Sequence, residues 1–130
     1  MKIDTILLDK LTAQAKESPR LRMNLDLRNS DADSSQRMLN AIEPESVVPI
    51  HRHQKTSETV AVLRGRALQH FYDEKGVLVE SVLLEAGGEV PAIQVPTGVW
   101  HRLEALESGT VIIEMKDGAY EPMKECDILK

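Results

Sequence analysis

Cysteine is almost missing from this chain: Cys126 stands alone, so no internal disulfide can form and no paired-thiolate zinc site can be built. Aromatic residues make up 3% of the sequence, only Phe71, Tyr72, Trp100 and Tyr120, which leaves too few platforms for stacking nucleic-acid bases. Basic residues are not in excess either. Sixteen Lys and Arg are scattered among 21 Asp and Glu for a formal charge of -5, with no basic stripe for a phosphate backbone. No apolar run approaches the ~18 residues of a spanning helix, and Met1-Lys2-Ile3-Asp4 does not open a signal-like segment. These absences exclude nucleic-acid and membrane partners, and predict a cytoplasmic protein whose partner is a small molecule. At 130 residues the chain suits one domain with one core.

Hydrophobic residues are present at an ordinary 42%, and their spacing changes once. Leu7, Leu8, Leu11 and Ala15 recur at helical period, with Asp4 as N-cap, and Ser18-Pro19 ends that pattern. From Leu21 the period becomes two: Leu21, Met23, Leu25 and Leu27 alternate with Arg22, Asn24, Asp26 and Arg28. The runs 37–42, 47–53, 59–64, 67–72, 77–84, 90–95, 99–106 and 110–115 also read as strands, separated by Asp73-Glu74-Lys75-Gly76, Gly87-Gly88 and Pro96-Thr97-Gly98. Short strands about every ten residues, one leading helix and no helical crossovers predict an all-β antiparallel sandwich or barrel.

The residues that carry chemistry are histidines. His51 and His53 are two apart, so on a strand spanning 47–53 both imidazoles leave one face and Arg52 the other. Glu58 follows across a polar turn, and Pro96-x-Gly98-x-x-His101 sets another imidazole just after a rigid turn. His-x-His alone is common; the joint pattern His51-x-His53-x4-Glu58-x6-Gly65 with Pro96-x-Gly98-x-x-His101 is not. Three nitrogens and one carboxylate suit one divalent transition metal, Fe, Mn, Ni, Co or Zn, with coordination positions left for water or substrate.

These two patterns resemble the first and second cupin motifs, departing at Glu45, Val90 and Ala105, where the motifs usually have Gly, Gly and Asn. The resemblance extends to the WbuC-like cupins through Pro19-Arg20-Leu21-Arg22, Gln36-Arg37-Met38-Leu39-Asn40-Ala41, Leu63-Arg64-Gly65-Arg66, Gly98-Val99-Trp100-His101 and Glu114-x-Lys116-x-Gly118-x-Tyr120. It implies an all-β cupin double-stranded β-helix, a jelly-roll-like barrel with one short N-terminal helix, usually a homodimer, with His51, His53, Glu58 and His101 as metal ligands. It also implies a link to surface-polysaccharide or nucleotide-sugar metabolism, without a reaction. The expected organisation is a helical segment 1–18, a barrel 19–120 and a tail 121–130.

Around the metal, Arg22, Asn24, Arg37 and Asn40 are candidates for holding a carboxylate or sugar hydroxyls, against the alternative of a salt-bridged strand edge. Glu114 and Tyr120 are candidates for proton transfer, Tyr120 from a pocket mouth. Trp100 leaves the strand opposite His101 and is expected to pack on the sheet or at a subunit interface, while His70 is left out of the site. Two readings follow: a metal-dependent enzyme of the isomerase, epimerase or oxygenase kind acting on a small oxygenated metabolite, or a non-catalytic, metal-dependent ligand-binding or dimeric sensor module. A closed structural zinc site fits less well without thiolates.

Overall fold

The computed structural model describes residues 1–129. Helix α1 spans Thr5–Glu17, and the Asp4 carboxylate accepts from the backbone N–H of Leu7, as the sequence predicts for an N-cap. Among the described residues no helix is long and apolar enough to cross a membrane. Eight strands follow: β1 Arg22–Asp26, β2 Ser35–Ile42, β3 Glu58–Arg64, β4 Arg66–Tyr72, β5 Leu78–Glu85, β6 Ala92–Val95, β7 Trp100–Ala105 and β8 Val111–Asp117. They form two antiparallel sheets, one of order β1-β2-β8-β3-β6 and one of order β5-β4-β7. This is the all-β, jelly-roll-like architecture with a single leading helix that the patterning predicts.

Strand alternation divides the hydrophobic residues into two layers. Ile42, Val60, Val62, Ala67, Leu84, Leu103, Ala105 and Ile112 fill the space between the sheets. On the outer face of the larger sheet, Leu39, Ala41 and Val111 pack with Met23 and Leu25 against Leu8, Leu11 and Ala15 of α1. The alternation in β1 is therefore explained from both sides: its apolar residues meet the helix, while Arg22 and Asn24 turn into the barrel. Arg64 ties the helix down, bonding Asp9 at 2.6 Å, Thr12 Oγ1 at 3.0 Å and the Gly109 carbonyl at 2.8 Å.

The run 47–53 is not a regular strand, contrary to its apolar pattern. Pro44 and Pro49 have no N–H to give to a ladder, and pairing shrinks to isolated bridges from His51 to His101 and to Ile128. Of the tail, a short 3-10 turn at Glu125–Asp127 is described and docks back on this segment, with Leu129 N–H on the Ile50 carbonyl at 2.8 Å; Lys130 lies outside the described residues.

Candidate metal centre

Four backbone contacts set the site before any side chain is considered. His51 and His101 exchange N–H to carbonyl bonds of 3.0 and 2.8 Å, which lays the irregular segment against β7. Gly98 N–H donates to the His53 carbonyl at 2.7 Å, so the Pro96–Gly98 turn is fastened to the same segment. Gly98 holds φ at +81°, a left-handed value that suits glycine at such a turn. Glu58 opens β3 and pairs with Val95 and Lys116 on its two flanks. The extended backbone keeps His51 and His53 on one side without a strand, and sends Arg52 to the other, where it lies 4.5 Å from the Trp100 ring and pairs with Asp127 at 3.1 Å.

The three imidazoles converge, each offering a nitrogen within 4.8 Å of the others. His51 Nδ1 lies 2.8 Å from the Pro49 carbonyl and His101 Nδ1 2.8 Å from the Val99 carbonyl. Carbonyls only accept, so each Nδ1 carries the proton and each Nε2 keeps its lone pair. His101 Nε2 and His53 Nε2 are buried without a hydrogen-bond partner among the described residues. Glu58 stands beside this trio, Oε2 3.2 Å from His53 Nε2 and Oε1 3.9 Å from His101 Nε2, but it is not one of the three groups that converge within 4.8 Å of one another. Three nitrogens held by one ion through bonds of about 2.1 Å lie about 3.0–3.6 Å apart, so metal binding would draw these rings together by up to about 1–2 Å. The orphaned buried lone pair of His101 Nε2, beside that of His51 Nε2 and a carboxylate, fits a divalent metal.

The electrostatics agree. Burial, then the neighbouring His101, pushes His51 down to about 4, and burial lowers His101 as well, so both are neutral donors near pH 7. Burial works to raise Glu58, but His53, His101 and His51 together hold it below the ordinary carboxylate range. Glu114 goes the other way, raised to about 8 by burial and by the nearby Glu58 charge.

A cavity of about 310 Å³ opens from these four residues. Arg22, Asn24, Arg37, Asn40, Glu114 and Tyr120, singled out from the sequence, all line it. They are not equivalent. Arg37 is ion-paired with Asp33 at 3.3 Å and bonds the Ser35 carbonyl at 2.7 Å, whereas Tyr120 is 56% exposed at the mouth, its ring 5.8 Å from the Arg28 guanidinium. His70 lies elsewhere, 2.6 Å from Ser81 Oγ across the β4–β5 pair. Sequence reasoning did not assign Lys116 or Arg20 to the site. Lys116 Nζ stands 3.3 Å from His53 Nδ1, and its position two residues beyond Glu114 on β8 was the available signal. An ammonium only donates, so this contact leaves the His53 proton on Nε2, facing Glu58; binding a metal at that nitrogen requires the proton to leave.

A family of domains of unknown function, DUF6016, matches residues 3–84, from the start of α1 through β5 and including His51, His53 and Glu58. The chain belongs to the DUF6016 family. No curated protein matches it. Among solved structures this DUF6016 chain is similar to oxalate oxidase in complex with the substrate analogue glycolate, at 15% identity and TM-score 0.65 over 81% of this chain and 55% of that one. It is similar also to the capsular polysaccharide assembling protein CapF from Staphylococcus aureus, at 19% identity and TM-score 0.65 over 86% and 32%. KdgF from Halomonas sp. matches at 14% identity and TM-score 0.63 over 79% and 84%. The chain thus spans about half the length of oxalate oxidase and a third of CapF. At these identities the likeness is one of fold, and the fold is the cupin double-stranded β-helix.

Proposed function

We propose that His51, His53, Glu58 and His101 bind one divalent transition metal and that the protein uses it to act on, or to bind, a small oxygenated metabolite in the adjoining cavity. The observation that carries this reading is the convergence of three imidazole nitrogens within 4.8 Å, with the buried Nε2 atoms of His53 and His101 lacking any partner among the described residues, beside Glu58. When bound, the metal supplies Lewis acidity, and with a redox-active ion electron transfer as well. The chain's own residues divide the remaining work. His51 and His101 are held in one tautomer by the Pro49 and Val99 carbonyls. Glu114, raised to about 8, keeps its proton at neutral pH and is able to donate it to a substrate oxygen. Tyr120 stands at the entrance, where its hydroxyl meets what enters.

Resemblance to the WbuC-like cupins, together with the likeness to a protein named for capsular polysaccharide assembly, supports a sugar or nucleotide-sugar as the metabolite; the same resemblance suggests a homodimer, and the lone cysteine and lack of a signal-like segment suggest a cytoplasmic setting. An isomerase, epimerase or oxygenase reaction is compatible with the donor set. The second reading, a metal-dependent binding or sensor module, uses the same cavity and differs only in turnover.

Elemental analysis of protein purified without chelator tests the site. Near-stoichiometric metal is expected, lost in the His51→Ala, His101→Ala double variant; an unchanged metal content in that variant would sink the assignment. Turnover and binding separate in Glu114→Gln and Tyr120→Phe, where product formation falls with affinity retained only if the protein is an enzyme.

A further inference from the structure

The cavity has a second chemical end. Arg20 and Arg22 both line it, and among the described residues no carboxylate pairs with either. Arg22 spends one nitrogen on neutral acceptors, Ser46 Oγ at 3.2 Å and the Val47 carbonyl at 3.1 Å, while Arg20 bonds only through its backbone, N–H to Ser18 Oγ and carbonyl from Ser46 Oγ. Burial first, and then the charge of Arg20, lowers the Arg22 pKa, with Glu114 pulling more weakly the other way. Nearby, Asn40 is hydrogen-bonded to Glu114 yet leaves its Oδ1 buried with no partner. That oxygen belongs to the lining of the same cavity and lacks a donor. Guanidiniums outside any ion pair and an acceptor without a donor describe complementary halves of one binding site.

We propose that Arg20 and Arg22 form an anion-binding end of the cavity that takes the carboxylate of a small hydroxylated acid, one of whose hydroxyls donates to Asn40 Oδ1. Paired guanidiniums suit a planar carboxylate, which accepts two parallel N–H bonds. The volume narrows the class. About 310 Å³ is at the low end of the range of about 300–1,000 Å³ for ligand pockets, enough to accommodate a single sugar acid. Both guanidiniums lie outside the four metal-facing residues, so this end is able to select ligands whether or not a metal is bound.

This inference rests on the reading that the cavity is the ligand site, and the test separates it from the metal. Calorimetric titration of the full chain compares D-glucuronate, D-glucose, glucose 6-phosphate and cyclohexanecarboxylate, in metal-replete protein and after chelator treatment. Glucuronate should bind about tenfold or more tighter than glucose, from the charged hydrogen bonds it adds, and tighter than cyclohexanecarboxylate, which has no hydroxyl. Arg22→Gln should remove about tenfold, and Arg20→Gln, whose side chain holds nothing in the fold, should weaken binding severalfold with an unchanged melting curve and metal content. Equal binding of glucose and glucuronate, or undiminished affinity in Arg20→Gln and Arg22→Gln, overturns the proposal. A preference for glucose 6-phosphate overturns the carboxylate assignment, and equal binding of cyclohexanecarboxylate overturns the role of Asn40. Arginine-dependent glucuronate binding by a protein that holds no metal as purified and takes up none when metal is supplied leaves this inference standing and overturns the metal reading alone.

Discussion

Glutamine at position 114 removes a proton equilibrium that folding opposes. Glu114 is raised from an ordinary 4.5 to about 8, first by burial and then by the charge of Glu58. A raised carboxyl means that, between those two values, the folded protein keeps a proton the unfolded chain has released. Stability is then fully present below 4.5 and is lost as pH rises towards 8. At pH 7 the interval already crossed is some 2.5 pH units above 4.5, worth about 3 kcal/mol at ~1.4 kcal/mol per pH unit. Water in the open cavity and the lost carboxyl contacts reduce this, so Glu114→Gln is expected to gain ~2 kcal/mol at pH 7 and almost nothing near pH 5. His51 titrates in the opposite sense: lowered to about 4, it costs stability as pH falls through 6.5, but it does so in both proteins and cancels in their difference. Urea unfolding of chelator-treated wild type and variant at pH 5, 6, 7 and 8 measures that difference. A gap that widens with pH supports the argument; parallel profiles, or a variant less stable throughout, would refute it.

Two further perturbations probe the frame of the site. Gly65 holds φ at +88°, and a Cβ there would sit 2.9 Å from Thr110 Cα, so Gly65→Ala should cost about 2–4 kcal/mol in urea unfolding; a loss under about 0.5 kcal/mol would contradict the packing. Leu39 is fully buried but on the helix side of β2. Leu39→Ala should therefore lose about 2–5 kcal/mol of stability while the metal content of the folded protein stays unchanged.

Much of this arrangement was legible from residue spacing, because it depends on local rules. Asp4 and the period of Leu8, Leu11 and Ala15 specify the helix, and period-two runs bounded by Gly and Pro specify the strands. The segment 47–53 shows where spacing stops. Its apolar residues look like a strand, but pairing depends on N–H groups that proline withholds and on partners far along the chain at His101 and Ile128. Its two histidines still share a side, since any extended backbone alternates. Convergence of Glu58 with His53 came through a local turn, whereas the approach of Lys116 required β8 to lie beside β3, a register no motif records. Arg20 belonged to the stretch Pro19-Arg20-Leu21-Arg22, but its place at the rim of the cavity is visible only once its neighbours are in place.

The helix that covers the outside of the larger sheet has a consequence for how this protein tolerates change. Because β1 and β2 bury Met23, Leu25, Leu39 and Ala41 against α1, their other faces are relieved of much of the work of holding the fold together. Arg22, Asn24, Met38 and Asn40 stand on those freed faces. Recognition and folding are thus written on opposite sides of the same two strands. Substitutions at the even-numbered positions can alter which ligand is accepted while the odd-numbered ones keep the domain folded, so ligand preference can diverge among sequences that share this frame.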